Sequence, residues 1–134
     1  MTLEPTQAPA PFPHPAHDPE SIRTLVHAFY ARVRDDDYIG PVFQRRIEDW
    51  EPHLERMVLF WRSILRGEGL FTRSPRGGPP VLHHMIDELE RGHFERWLTL
   101  FEETAREIFP ADAAEDVVVR ARQIGMVLSL HLPE

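Results

Sequence analysis

The chain has 134 residues, of which 42% are hydrophobic and 28% are charged, a composition typical of one soluble globular domain with its own core. Its formal net charge of −7 argues against nucleic acid as the main partner, because binding phosphates requires a basic surface. The absence of cysteine excludes disulfides, thiolate metal sites and cysteine nucleophiles.

The first part of the chain predicts a tail followed by a helix. Residues 1–17 carry five prolines and few apolar side chains, so we expect a disordered Pro-rich tail before a globular domain over 18–134. Asp18 followed by Pro19 predicts a helix start, because a carboxylate caps the first N–H groups and proline fits the first turn. Apolar residues then recur at helical spacing, and the Gly- and Asp-containing stretch 35–41 ends the pattern.

A second helix is predicted from about Asp49 to Gly67, again from helical spacing of apolar residues and a terminating glycine. His53, Met57 and Phe60 lie on one face of it, because residues three and four apart are neighbours on a helix. His53 is thus at the edge of an apolar stripe. Its imidazole either overhangs a cavity or stays partly exposed near the helix start.

The remaining chain predicts a weak segment and two further helices. Residues 66–89 contain clustered glycines and prolines and then a short apolar stretch. A long helix over about 91–109 ends at Pro110, and Asp112 with Glu115 predicts a capping box for the last helix. No stretch has a strand pattern, so we predict an all-α domain.

No apolar run is long enough to cross a bilayer, and the N-terminus lacks a secretory signal, which together favour a cytoplasmic protein without a membrane partner.

Four residues are candidates for binding chemistry. Tyr30 and Trp97 lie on the inward faces of their helices, and a buried phenol or indole N–H needs a hydrogen-bond partner, either a core carbonyl or a ligand. His53 and His83 lie among large apolar side chains. Imidazole is the usual axial ligand of haem iron where small gases bind on the opposite face, so these two histidines favour a haem pocket.

Several motifs extend this interpretation over residues 20 to 131. They are Phe29–Tyr30, Gly40–Pro41–Val42–Phe43, Trp50 with His53, Phe60–Trp61, Gly67–Glu68–Gly69, His83, and the run from His93 to Thr104. Together they resemble the truncated haemoglobins of group III. The resemblance implies a truncated globin, a 2-over-2 helical sandwich around haem b.

The resemblance also implies roles for individual residues. It assigns the proximal iron ligand to His83 and the distal pocket to Tyr30, His53 and Trp97. Phe43 is the aromatic side chain expected on the haem face. Met57 and Phe60, which share the helical face of His53, complete the predicted cofactor-binding set.

The segment after His83 is more polar than the resemblance leads us to expect, and the adjacent His84 leaves the iron ligand ambiguous. Neighbouring residues on a helix point about 100° apart, so only one of the two reaches the iron. The spacing to Trp97 fits His83, which we therefore favour.

The function that these features favour is binding of oxygen or another diatomic gas at a five-coordinate haem iron. One alternative is nitric oxide dioxygenation or peroxide chemistry, which would use the same residues and an external reductase, so whether the chain is an enzyme stays open. Another is a helical interaction module without a cofactor.

A di-iron bundle would need two Glu-x-x-His motifs, and only Glu90–Arg91–Gly92–His93 matches. Clustered zinc ligands are missing from the sequence.

Overall fold

A computed structural model describes residues 12–69 and 91–129. Every regular element in these ranges is an α-helix: α1 Pro19–Asp35, α2 Gly40–Arg46, α3 Trp50–Arg66, α4 Arg91–Ile108 and α5 Ala111–Ser129. The all-α prediction is confirmed. His83 and His84, in the segment predicted to be weakly helical, lie outside the described residues. None of the helices in the described ranges has the length and apolar character needed to span a bilayer.

The predicted ends of α1 and α3 are confirmed by their cap geometry. The Asp18 carboxylate accepts a hydrogen bond from the backbone N–H of Ser21 at 2.8 Å, and proline occupies the first turn. Gly67 ends α3 with a φ of 64°, in the left-handed region that favours glycine. Local chemistry therefore determines where these two helices begin and end.

The sequence pattern does not predict helix α2, because Gly40–Pro41 indicates the end of the preceding helix. Proline is equally compatible with the first turn of a new helix, where its missing N–H has no partner to lose. The turn before α2 is fixed by Asp36, whose carboxylate accepts the backbone N–H groups of Tyr38 and Ile39 at 3.0 and 2.9 Å. The helix that follows carries Phe43 into the core.

The capping box predicted for the last helix does not form. Helix α5 begins at Ala111, so Asp112 lies in its first turn instead of at its cap. The Asp112 carboxylate accepts a hydrogen bond from His14 Nε2 at 2.9 Å. Glu115 binds Arg106 at 3.0 Å and does not reach back to the helix start.

Ordered contacts begin before the predicted domain boundary at residue 18. The described part of the predicted tail lies against α5 and the end of α3, and His17 is buried there. Its Nε2 donates to the backbone carbonyl of Ala113 at 2.9 Å, and its ring stands edge-on to Phe109 at 5.3 Å between centroids. These contacts join residues that are far apart in sequence. Composition and periodicity describe only neighbouring residues, so they do not predict such contacts.

Helix α1 occupies the centre of the domain. It packs against α2, α3 and α4, and α4 packs against α5. A continuous face of α1 is buried, comprising Ile22, Leu25, Val26, Phe29, Tyr30 and Val33. Phe101 of α4 contacts both Phe29 and Trp61 at 4.9 Å between ring centroids, so one aromatic cluster joins α1, α3 and α4.

Substituting Gly40 should destabilise the domain. A Cβ at this position would lie 2.9 Å from the carbonyl oxygen of Val33 and 3.2 Å from that of Arg34, and backbone atoms cannot turn aside. We expect Gly40→Ala to lower the free energy of unfolding by roughly 1–3 kcal/mol, measured by urea denaturation.

Gly125→Ala is the matched control. The added methyl group would meet only the Leu98 side chain at 3.4 Å, in ordinary contact, and alanine is favoured over glycine inside a helix by about 1 kcal/mol. This variant should be as stable as the parent or more stable. Equal losses in both variants would show that the close approach of α1 and α2 is not the cause.

Candidate functional site

Three of the predicted site residues meet where α1, α2 and α3 converge. Tyr30 of α1 lies 4.9 Å from His53 of α3 between ring centroids, with the rings nearly perpendicular at 84°. Phe43 of α2 lies 6.0 Å from Tyr30. All three side chains are buried. The helix packing thus assembles from distant parts of the sequence a small aromatic site with two polar groups.

His53 is the unusual member of this site. It is only 7% exposed, so the alternative of a partly exposed histidine near the helix start is wrong. Its Nε2 is buried and has no hydrogen-bond partner among the described residues. Burial, with the positive charge of Arg56 as a smaller cause, lowers the pKa of His53 to about 4. The imidazole is therefore neutral at physiological pH, and one of its nitrogens is free to bind a further group.

Tyr30 presents a second polar group at the same place. Burial raises the pKa of its phenol well above the ordinary value, so the hydroxyl keeps its proton. None of the hydrogen bonds formed within the described residues involves this hydroxyl. Buried polar groups in folded proteins nearly always have a partner, so the unsatisfied His53 Nε2, in a ring that packs on Tyr30, indicates a site for a further group.

Trp97 lies one ring away from this pair. It is half-buried on α4, stands edge-on to Phe29 at 5.6 Å and stacks on Phe101 at 5.4 Å between centroids. Phe29 in turn contacts Tyr30 at 4.8 Å. The ring contacts of the described residues do not join Trp97 directly to Tyr30 or His53, and Phe29 lies between the Trp97 and Tyr30 rings.

An ion pair fixes the start of α4 beside the end of α1. Arg96 Nε donates to the Asp36 carboxylate at 2.8 Å, and the Asp36 side chain is 5% exposed. Burial alone would raise the pKa of Asp36, but hydrogen bonds from Arg96 and from backbone N–H groups outweigh it and hold the pKa below its usual value. The neighbouring Trp97 is thereby held against α1.

The other predicted cofactor-binding residues extend the site along α3. Met57 is buried one turn after His53. Phe60 is half-buried and contacts Trp61 at 5.6 Å between centroids. The described residues thus bring together Tyr30, Phe43 and His53, whereas His83, the predicted iron ligand, lies outside them.

Trp50 belongs to the site but was not assigned a role from the sequence. Its ring lies 5.6 Å from His53 and 5.9 Å from Tyr30 between centroids. The available signal was its position three residues before His53, which places the two on one helical face.

The described part of the chain gives no support for a metal site that is built from several protein side chains. No group of three or more histidine, aspartate or glutamate side chains there is arranged to hold a metal ion. The Glu-x-x-His match that raised the di-iron alternative begins at Glu90, outside the described residues. A metal held mainly by a macrocycle needs no such group of side chains.

Comparisons with known proteins are consistent with the geometry. The family described as "Bacterial-like globin" matches residues 18–124. A group 3 truncated hemoglobin of Campylobacter jejuni is 33% identical over 111 residues, which cover 79% of this chain and 84% of that protein. The crystal structure of a group III truncated hemoglobin from the same organism aligns with a TM-score of 0.76 at 30% identity, covering 87% of this chain and 92% of that chain.

The buried His53 should make the stability of the chain depend on pH. The unfolded chain takes up a proton at this residue near pH 6.5, whereas the folded chain does so only at about pH 4. Between these values the unfolded state binds more protons, so the free energy of unfolding falls as the pH is lowered. Urea denaturation at pH 7 and pH 4 should show a loss of about 3 kcal/mol that is missing from His53→Leu.

His27→Gln provides the control, because it removes an exposed histidine from α1. This variant should keep the pH dependence of the parent. If His53→Leu also keeps it, the imidazole is not held neutral in the core.

Proposed function

This chain belongs to the bacterial-like globin family, among the group III truncated haemoglobins, and we propose that it binds a diatomic gas with Tyr30 and Trp97 as hydrogen-bond donors. The cofactor of the family is haem, whose iron supplies an open coordination position for oxygen, nitric oxide or carbon monoxide. The observation that carries the proposal is the buried His53 Nε2, which has no hydrogen-bond partner among the described residues and belongs to a ring that packs on Tyr30.

The described residues fit such a cofactor. Phe43 and Met57 offer buried apolar contact for a flat macrocycle. His53 Nε2 is buried and no described residue satisfies it, and leaving a buried polar group unsatisfied costs about 1–3 kcal/mol. A cofactor carrying a small polar ligand would remove that cost. The cost therefore supports the proposal that His53 faces a ligand.

The chemistry of each side chain determines its proposed role. Tyr30 keeps its proton because burial raises the pKa of its phenol, so it donates to a ligand that gains negative charge. The indole N–H of Trp97 is a donor only. His53 is neutral and either donates or accepts at Nε2 according to its tautomer, which suits a tuning role more than an essential one. The burial of Tyr30 and His53 also keeps water away from the ligand.

The proximal role rests on the sequence. We propose that His83 holds the iron and that His84 faces solvent. If the segment is helical, Ile86 follows on the side of His83 at three residues, whereas the acidic Asp87 and Glu88 follow His84. A proximal imidazole needs its second ring nitrogen fixed by an acceptor, and a carbonyl of the preceding Gly–Pro stretch suits this.

Removing a distal donor should speed oxygen release from the haem-loaded chain. Hydrogen bonds to charged groups contribute about 1.5–3 kcal/mol, so Tyr30→Phe and Trp97→Phe should each raise the dissociation rate about ten- to a hundredfold. Carbon monoxide is less polar when bound, and its dissociation should change less. Stopped-flow measurement on the ferrous protein checks both rates.

Tyr38→Phe is the matched control for the loss of a phenol hydroxyl. Tyr38 is 47% exposed and its ring packs on His93, away from the site. Its variant should release oxygen at the parent rate. If the Tyr30 and Trp97 variants behave like this control, both residues are merely structural and the distal assignment fails.

Two alanine variants distinguish the neighbouring histidines. His83→Ala should lose haem or recover it only with added imidazole, because the iron would lose its protein ligand. His84→Ala should keep a near-normal ferrous visible spectrum. The reverse outcome would assign the ligand to His84 and shift the segment by one residue.

A further inference from the structure

Trp50 packs against both His53 and Tyr30. It is the first residue of α3 and is half-buried, with one part in the site and one part at the surface. Its ring stands edge-on to His53 at 87° and also touches Tyr30. Trp50 therefore forms an outer wall of the polar site.

Two exposed side chains from other helices hold this wall in place. The Trp50 indole N–H donates to Gln44 Oε1 of α2 at 3.2 Å. The Arg34 guanidinium of α1 lies 4.6 Å from the centroid of the Trp50 ring, within the range of a cation–π contact. Gln44 thus holds the edge of the Trp50 ring and Arg34 holds its face. Neither residue belongs to α3 or to the polar site.

His53 is held in a different way. Its Nε2 forms no hydrogen bond within the described residues, so ring packing against Tyr30 and Trp50 is the contact that keeps the imidazole inward. Turning outward would give Nε2 access to water and relieve its unsatisfied state. Displacement of Trp50 is the step that would permit this turn.

We propose that Arg34, Trp50 and Gln44 form a latch that controls how often His53 opens the distal site to a gas ligand. This inference rests on the proposed function, because it specifies how that function is regulated. Trp50 is a positioning residue: it acts on the ligand through His53. Arg34 and Gln44 set the rate at which Trp50 moves.

The latch predicts a kinetic effect that differs from the effect of removing a hydrogen-bond donor. A gate changes passage in both directions equally, so association and dissociation rates should rise by the same factor while the equilibrium dissociation constant stays within about twofold. Gln44→Ala and Arg34→Ala each remove one surface contact and should raise both rates about two- to fivefold. Trp50→Ala should raise both further. Carbon monoxide flash photolysis and stopped-flow dissociation on the haem-loaded chain measure these rates.

Chemical modification of His53 gives a readout independent of gas binding. Diethyl pyrocarbonate reacts with accessible neutral imidazoles, and peptide mass spectrometry reports the rate at each histidine. His53 should react slowly in the parent and about two- to fivefold faster in the Gln44→Ala and Arg34→Ala variants. The exposed His27 should react at one rate in every variant and so calibrates the reagent.

Arg23→Ala is the matched control. Arg23 also joins α1 to α3, through an exposed ion pair with Glu55 at 2.7 Å, but it does not touch Trp50. Its rates and its His53 modification should equal those of the parent. Because Gln44 and Arg34 are exposed, their variants keep the test valid even if Trp50→Ala does not fold.

The results of these experiments distinguish a failure of the latch from a failure of the proposed function. If gas binds but neither surface variant changes the two rates or the His53 modification, the latch is wrong. A rise in dissociation alone would also overturn it, because it would mean direct action on the bound ligand. A parent chain that takes up no haem would instead overturn the proposed function, and the latch with it.

Discussion

The burial of one continuous face of α1 is the constraint on which the rest of the structure depends. Because this helix packs against α2, α3 and α4 at once, it cannot rotate without exposing large apolar side chains. Phe29 and Tyr30 are consecutive, so the rotational position of α1 about its axis fixes the direction of both side chains. Phe29 enters the aromatic cluster with Phe101, and Tyr30 is consequently directed at His53. The position of the polar site is thus a result of core packing.

The site combines strong apolar packing with a buried imidazole nitrogen that no described residue satisfies. Such a combination reduces stability, because burying a polar group without a partner is unfavourable. It persists because the surrounding helices fix the side chains independently of the site. The ion pair of Asp36 with Arg96 and the close contact at Gly40 anchor α4 and α2 to α1. The rigid frame therefore allows a neutral histidine to remain inside.

Local signals predicted some parts of this structure and could not predict others. Helices α1 and α3 follow from periodicity and caps, which act over a few residues. Helix α2 was missed because Pro41 is compatible with both the end of one helix and the start of another. The contacts of His17 were missed because their partners come from the other end of the domain.

The same distinction applies to the candidate site. Sequence spacing and the globin resemblance identified Tyr30, Phe43 and His53, which the structure brings together. The lack of a partner at His53 Nε2 depends on three helices at once, so a pattern within one helix could not reveal it. Trp50 was overlooked because its contacts with Gln44 and Arg34 connect separate elements.

The histidines before α1 have a consequence for the synthesis of the chain. His14 binds Asp112 and His17 binds Ala113, across separations of 98 and 96 residues. A nascent chain therefore carries these histidines out of the ribosome long before their partners are translated. During that interval the imidazoles of His14 and His17 lack these two partners, and loop closure across most of the chain must precede their formation. The two side chains thus reach their native hydrogen bonds only after residues 112 and 113 have been synthesised.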